Sequence, residues 1–79
     1  MYTVGLIDKQ ECLRTFNLDS LAEAKEELKY WRDSFMNNNV VKRRSTVIER
    51  EETDEIKSVK EIFILETYKT VIMFLCKNG

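Results

Sequence analysis

The most regular pattern in this chain is a stripe of apolar residues at helical spacing in its first half. The members of the stripe follow one another at steps of three or four positions: Leu21, Ala24, Leu28, Trp31 and Phe35. This spacing places all of them along one side of a helix, which we expect to be buried. Ser20 and Glu23 have the spacing of a capping box, so the helix is predicted to begin there. We expect it to end in the asparagine run 37–39, because asparagine tolerates the left-handed conformation that closes many helices.

Before the helix, the pattern changes to the alternation that is typical of strands. Residues 2–7 and 12–18 are rich in aromatic and β-branched side chains, and the polar residues 8–11 separate them. We therefore predict an N-terminal hairpin. Because its connector lacks the Asn-Gly or Asp-Gly pair of a two-residue turn, we expect a four-residue loop built on a type I turn that Asp8 leads.

The segment after the helix has β-branched residues at both ends and charged residues between them. Residues 40–51 predict a third strand with one solvent-exposed face. Four apolar residues of the following segment also have helical spacing: Ile56, Val59, Ile62 and Phe63. A short second helix at 54–63 is therefore an open alternative to strand or loop.

The last third of the chain contains two apolar runs, residues 62–65 and 71–76, whose aromatic and β-branched side chains favour strands over a helix. We predict two strands joined around Tyr68 and Lys69, and one bent strand is the alternative because the turn chemistry is weak. Residues 1–79 are thus predicted to form a single α+β domain. One antiparallel sheet of four to five strands packs on one main helix, in the order β-β-α-β-β(-β).

Both faces of the last strands are apolar, although one helix covers only one face of a sheet. We predict that the surface facing away from the helix includes Phe63, Leu65, Ile72 and Phe74. Left in water, such a patch would reach several hundred Å², about the limit that soluble monomers tolerate. The second helix, a second copy of the chain or another protein would each provide a cover. We favour a homodimer.

Composition restricts the chemistry that this chain can perform. Its 79 residues include 13 basic and 14 acidic side chains, and the net charge of −1 removes the attraction on which non-specific binders of nucleic acid or anionic membranes rely. The sequence has no histidine and only two glycines, so histidine-based catalysis and glycine-rich nucleotide loops are excluded. Cys12 and Cys76 do not have zinc-site spacing, and the acidic pairs lack the pattern of a calcium loop. We expect no enzymatic activity, no metal, no cofactor and no small-molecule substrate.

The N-terminal residues lack the basic stretch and apolar core of a secretory signal, and the longest apolar run, 71–76, is far shorter than the ~20 residues of a membrane helix. We therefore expect a cytoplasmic protein in a reducing compartment, without membrane association.

The side of the helix opposite the apolar stripe carries an aromatic residue among carboxylates. These residues are Tyr30, Glu23, Glu26, Glu27 and Asp33. Tyrosine is frequent at binding hot spots and carboxylates steer encounter, so this face is a candidate contact surface for a basic groove on a partner protein. The alternative is an ordinary solvated helix face.

Lys42, Arg43 and Arg44 form the only basic cluster in the sequence. Regular alternation along a strand places Lys42 and Arg44 on one face with Val40, and Arg43 on the other face. At most two of these cations then reach one phosphate backbone, and nearby carboxylates offer them cross-strand partners instead.

Together these features predict a small non-enzymatic protein-interaction module. We expect a homodimer that binds an unidentified protein and inhibits or bridges it. A phage or mobile-element product that acts on a host protein would have this size and composition. The alternative function is nucleic-acid binding through the strand that contains Lys42, Arg43 and Arg44, which the small net charge disfavours.

Overall fold

A computed structural model describes residues 1–8 and 11–78, apart from the side chain of Cys12. It contains five strands and one helix: β1 (Tyr2–Asp8), β2 (Glu11–Leu18), α1 (Leu21–Asn38), β3 (Val41–Arg50), β4 (Ile56–Leu65) and β5 (Thr70–Lys77). The predicted α+β fold, with one antiparallel sheet and one main helix, is confirmed.

The five strands lie side by side in the order β2-β1-β5-β4-β3, and each neighbouring pair is antiparallel. The central strand β5 therefore joins the N-terminal hairpin to the C-terminal strands by pairing with β1 on one side and β4 on the other. Strands β2 and β3 are the two edges, and α1 connects them. The helix must consequently cross one face of the sheet, where it contacts β1, β2 and β5.

The beginning of α1 and its buried stripe follow the prediction. The amide of Glu23 donates a hydrogen bond of 3.2 Å to the Ser20 hydroxyl, which caps the first turn. Ala24, Leu28 and Trp31 are buried, and the two ends of the stripe pack partly against the same core.

The end of α1 differs from the prediction. Asn39, the capping residue, has φ −140° and ψ 148°, so it is extended rather than left-handed. The asparagine side chains close the helix instead. The amides of Asn38 and Asn39 donate to the carbonyls of Ser34 and Phe35 at 2.7 and 3.0 Å, which satisfies acceptors that the helix itself leaves unpaired.

The strands after the helix resolve the alternatives left open by the sequence. The predicted third strand is confirmed as β3, and the last third forms two strands rather than one bent strand. The alternative of a second helix at 54–63 is wrong, because β4 begins at Ile56 and pairs with β3 and β5 along its two sides. Four apolar side chains of this segment have helical spacing, but backbone hydrogen bonds to strands on both sides make it a strand.

The N-terminal hairpin is also confirmed, but its connection is shorter than predicted. Asp8 and Glu11 are paired residues of the ladder, which leaves two positions between them instead of a four-residue loop. Residues 9–10 lie outside the described residues.

The two C-terminal connections, residues 51–55 and 65–69, have the same backbone hydrogen bonds. In each, the first residue donates to the carbonyl of the fifth, at 2.8 and 2.9 Å, and the fourth donates back to the first, at 2.9 and 2.8 Å. The fourth residues, Asp54 and Tyr68, have φ of 67° and 65°, the left-handed region that glycine adopts most easily. Both turns therefore hold a side chain in a strained backbone conformation.

Lys77, at the end of β5, ties the first of these turns to the centre of the sheet. Its Nζ lies 3.2 Å from a carboxylate oxygen of Glu51 and 3.2 Å from one of Glu55. Hydrogen bonds to Glu51 and then to Glu55 raise the pKa of the Lys77 amine above its ordinary value. The two carboxylates therefore stabilise the charged form of the amine.

The core lies between α1 and the face of the sheet that it crosses. The sheet contributes to it Val4, Val59, Phe63, Met73 and Leu75, all buried. The rings of Phe35 and Phe63 meet with centroids 5.0 Å apart, and Phe16 packs edge-on against Trp31 at 6.0 Å.

The prediction that Phe63 and Leu65 belong to the surface away from the helix is wrong. Both face the helix side, with 0% and 9% of their surface exposed. The turn at 65–69 sets this register: it pairs Phe63 with Val71, and directly paired residues share a face. Odd-numbered residues of β4 and β5 therefore point together toward the helix, and Ile72 lies on the other face.

Gly5 lies on the face away from the helix, directly beneath the ring of Phe74, its cross-strand partner. A Cβ atom at Gly5 would overlap the Cζ and Cε1 atoms of that ring. The missing side chain of Gly5 thus allows Phe74 to lie flat on the backbone of β1.

Gly5→Ala is expected to displace the Phe74 ring and to lower the free energy of unfolding by about 1–3 kcal/mol, the usual cost of overpacking. In a Phe74→Ala background the same substitution should be neutral or stabilising by about 0.5–1 kcal/mol, because alanine loses less backbone entropy than glycine in a strand. Urea unfolding of the four proteins of this double-mutant cycle measures the coupling. Equal effects of Gly5→Ala in both backgrounds would contradict the contact.

Asp54→Gly is expected to raise the free energy of unfolding by on the order of 0.5–1 kcal/mol, because glycine adopts the positive φ without strain. The substitution also removes the ion pair between Asp54 and Arg50, but this pair is exposed, with 3.9 Å between its charged atoms, and contributes little to stability. Thr53→Gly is the matched control, since Thr53 lies in the same turn without a positive φ and should lose stability. Thermal unfolding that moves both variants in the same direction would refute this explanation.

Candidate functional site

The face of the sheet away from α1 carries an apolar patch at its centre, which we call the back-face patch. It consists of Ile7, Ile62, Ile64, Ile72 and Phe74, and each of these side chains is partly exposed. Ile72 pairs with Ile7 on one side and with Ile62 on the other, so three isoleucines form a row across β1, β5 and β4. Among the described elements, the only helix lies on the opposite face.

Ile72 and Phe74 are therefore the two predicted residues of the dimer surface that lie on this face. The prediction from the sequence left Ile62 and Ile64 out of this surface, because it assigned them to the alternating set that faces the helix. The alternation along β4 shows that one of its two alternating sets of residues faces away from the helix, but the pairing register with β5 decides which set.

Charged residues border the back-face patch along β3. Arg43 and Glu49 lie on this same face near the two ends of the strand, paired with Ile64 and Ser58, and both are exposed. Lys60 lies between these positions on β4 and is exposed as well. The border thus contains charges of both signs at separate places.

The outer side of α1 has the exposed tyrosine that the sequence predicts. Tyr30 has 71% of its surface exposed, and Glu23, Glu26 and Asp33 are exposed around it. Glu27 differs, because its Oε1 accepts a hydrogen bond of 2.7 Å from the Trp31 indole and it is only partly exposed. Glu27 therefore holds a core residue in position, and the other three carboxylates form the acidic surface.

The basic cluster does not have the arrangement that regular alternation predicts. A bulge interrupts the pairing of β3 between Val41 and Arg43 and adds Lys42 as an extra residue. Lys42 and Arg44 consequently do not share one face. Arg44 points to the helix side of the sheet, where its Nε lies 3.2 Å from a carboxylate oxygen of Glu61.

Lys42 and Arg43 lie instead beside Ile64 and Tyr68, with which they line a shallow cavity of about 350 Å³. The Lys42 amine lies 2.8 Å from the Tyr68 hydroxyl and 4.4 Å from the centre of its ring. With Arg44 turned to the other face, two cations of the cluster are left on this side, the same number that regular alternation allows but a different pair.

Glu61 is a buried charge that sequence reasoning missed. Its side chain is 4% exposed, and it accepts hydrogen bonds from Arg32 at 3.3 Å, Arg44 at 3.2 Å and the Thr46 hydroxyl at 3.0 Å. This network joins α1, β3 and β4 where the helix covers the sheet least. The available signal was its position: Glu61 lies between Val59 and Phe63 in the inward phase of β4.

The sequence patterns also did not predict a groove between α1 and β3, which we call the basic groove. It has a volume of about 420 Å³, and its cationic side chains are Lys25, Lys29, Arg32 and Arg50. Its apolar lining includes Ile48, Ile56, Val59 and Leu75. The signal in the sequence was the spacing of the three helical cations at i, i+4 and i+7, which places them beside the apolar stripe.

Glu61→Gln is expected to lower the free energy of unfolding by about 1.5–3 kcal/mol, because it removes the charge that two partly buried arginines share and turns an amide donor toward them. Glu52→Gln, at an exposed position, is the matched control and should change stability by less than about 0.5 kcal/mol. Guanidinium unfolding measures both values. Equal stability of the two variants would contradict the structural role of this network.

Two further findings concern the residues that the structure describes. No helix among them is long and apolar enough to cross a membrane, and no group of three or more cysteine or acidic side chains is arranged to hold a metal ion. In comparisons with known proteins, the sequence matches no protein-family model and no curated protein, and no solved structure matches it either.

Proposed function

We propose that this protein is a non-enzymatic interaction module that pairs with a second copy of itself through the back-face patch and presents its helix to another protein, which it inhibits or bridges. The observation that carries the proposal is the row of isoleucines with Phe74 on a face that α1 does not cover. Burying a large apolar side chain is worth about 1.5–3 kcal/mol, and a core built by so short a chain is marginal. A second sheet would provide the missing cover.

The charges at the border support a second copy of the chain as the occupant. A twofold axis that runs across the strands beneath Met73 and Thr46 reverses the strand direction between two facing sheets. It brings Arg43 of one copy opposite Glu49 of the other, because these residues are equally distant from Thr46 along β3. The same axis sets Phe74 against Ile72 of the second copy. At these positions the face is self-complementary in charge and in apolar content, as an isologous interface requires, and Lys60, which is level with Phe74, faces Ile62 of the second copy.

This arrangement leaves both helices on the outside of the dimer. Tyr30, Glu23, Glu26 and Asp33 then face solvent in each copy, and the two acidic surfaces lie on opposite sides of the assembly. A partner with a basic groove fits this surface, with Tyr30 as the anchor. Two such surfaces pointing apart can bridge two partner molecules.

Charge reversal at the border tests the dimer directly. Arg43→Glu and Glu49→Arg are each expected to weaken dimerisation about tenfold, because each places like charges opposite one another twice. An equimolar mixture of the two variants should restore it, because both pairs in the mixed dimer are then opposite in sign. Sedimentation equilibrium at several concentrations measures all three samples.

Glu52→Arg provides the control, since this exposed residue lies in the turn at 51–55, away from the back-face patch, and should leave dimerisation unchanged. A wild-type protein that remains monomeric at high concentration would refute the proposal. So would a mixture that is no more dimeric than its two components.

A further inference from the structure

We propose a second binding site beyond the dimer and the helix face: the basic groove binds an acidic peptide segment in extended conformation, which adds to the sheet along the edge strand β3. Every second side chain of this segment points to the helix side, where apolar ones rest on Ile48 and carboxylates meet the cations of α1 and β3. Three observations support this occupant.

The first observation is the local excess of positive charge. Among the residues that the structure describes, neither Lys25 nor Lys29 has a carboxylate within ion-pair distance. Arg32 is held by Glu61 at 3.3 Å and by Asp33 at 3.7 Å, and Arg50 lies 3.9 Å from the exposed Asp54, so the excess resides on the two lysines. A chain with a net charge of −1 thus concentrates cations on one side of its helix. Such a groove attracts anionic side chains.

The second observation is the exposed apolar floor. Ile48 has 49% of its surface exposed although it lies on the helix side of β3, because α1 crosses the sheet nearer to β1 and β5. Ile56 is partly exposed beside it, and Val59, at 9% exposure, forms the bottom. A purely charged ligand would leave these side chains in water, whereas an extended peptide with both apolar and acidic residues on its helix-side face would cover Ile48.

The third observation is the edge itself. β3 pairs with β4 on one side only, and an edge strand leaves a row of backbone donors and acceptors available for another strand. Its charged side chains are Lys42, Arg43, Arg44 and Arg50 against a single carboxylate, Glu49. In an antiparallel pair of β3 edges centred on Thr46, Arg43 meets Glu49 but Lys42 meets Arg50, whereas an acidic strand offers a carboxylate to each of these cations.

The probe for this site is a short fluorescein-labelled synthetic peptide in which glutamate and valine alternate at every second position, with serine between them, so that both face the groove. It is titrated with the full chain and followed by fluorescence anisotropy at low salt. Saturable binding is expected, together with slower amide hydrogen exchange along β3 in the presence of the peptide. The same peptide with lysine in place of glutamate, and a version of it interrupted by proline, should bind at least about tenfold more weakly, because the first reverses the charge and the second removes backbone donors.

In the Phe74→Glu background, which separates the groove from the dimer, Lys29→Glu should weaken binding about fivefold, whereas Lys60→Glu, an exposed lysine on the opposite face, should leave it within twofold. Phe74→Glu, which the dimer proposal expects to be monomeric, should bind the peptide as wild type does, so a failure of one proposal is distinguishable from a failure of the other. Absence of saturable binding would overturn this inference, as would equal effects of the two lysine reversals. Tighter binding of a labelled polyuridine oligonucleotide that is sensitive to Lys29→Glu would overturn it in favour of RNA.

Discussion

The pairing of β1 with β5 is the contact on which the rest of this structure depends. It runs from Tyr2 opposite Lys77 to Asp8 opposite Val71, and it joins two local units, the N-terminal hairpin and the β3-β4-β5 meander, into one sheet. Because this contact lies at the centre, β2 and β3 become the outer edges. The helix that links them must then cross one face of the sheet, and the other face is left to be covered by something else.

Crossing the sheet also divides the helix into chemically different sides. Its apolar stripe faces β1 and β5, its carboxylates and Tyr30 face outward, and its lysines face β3. The network around Glu61 closes the core on the lysine side without an apolar cover, so the groove there combines cations with accessible apolar side chains. The same helix can therefore present an acidic surface and line a basic one.

The sequence was sufficient to predict the elements and their order, because each has a strong local signal. The capping pair Ser20 and Glu23 marks the beginning of the helix, and the strands are rich in β-branched and aromatic residues. The register was beyond the reach of local patterns. When both faces of a strand are apolar, alternation alone cannot tell which phase is inward, and the turn at 65–69 decides it for Phe63 and Leu65. The bulge at Lys42 likewise has no signal in the pattern of apolar and polar residues, although it separates Lys42 and Arg44, which regular alternation puts on one face.

The position of β5 has a consequence for how the chain acquires its structure. The strand that completes the centre of the sheet is the fifth of the five along the chain, and its partner β1 is the first. The contacting residues of β1 and β5 are separated by almost the whole sequence. Pairing these two strands therefore costs more loop-closure entropy than forming any hairpin between consecutive strands. During synthesis, β1 and α1 emerge before β5, and their apolar sides stay exposed to solvent until β5 pairs with β1. The topology thus favours a late closure of the sheet, however stable the finished domain is.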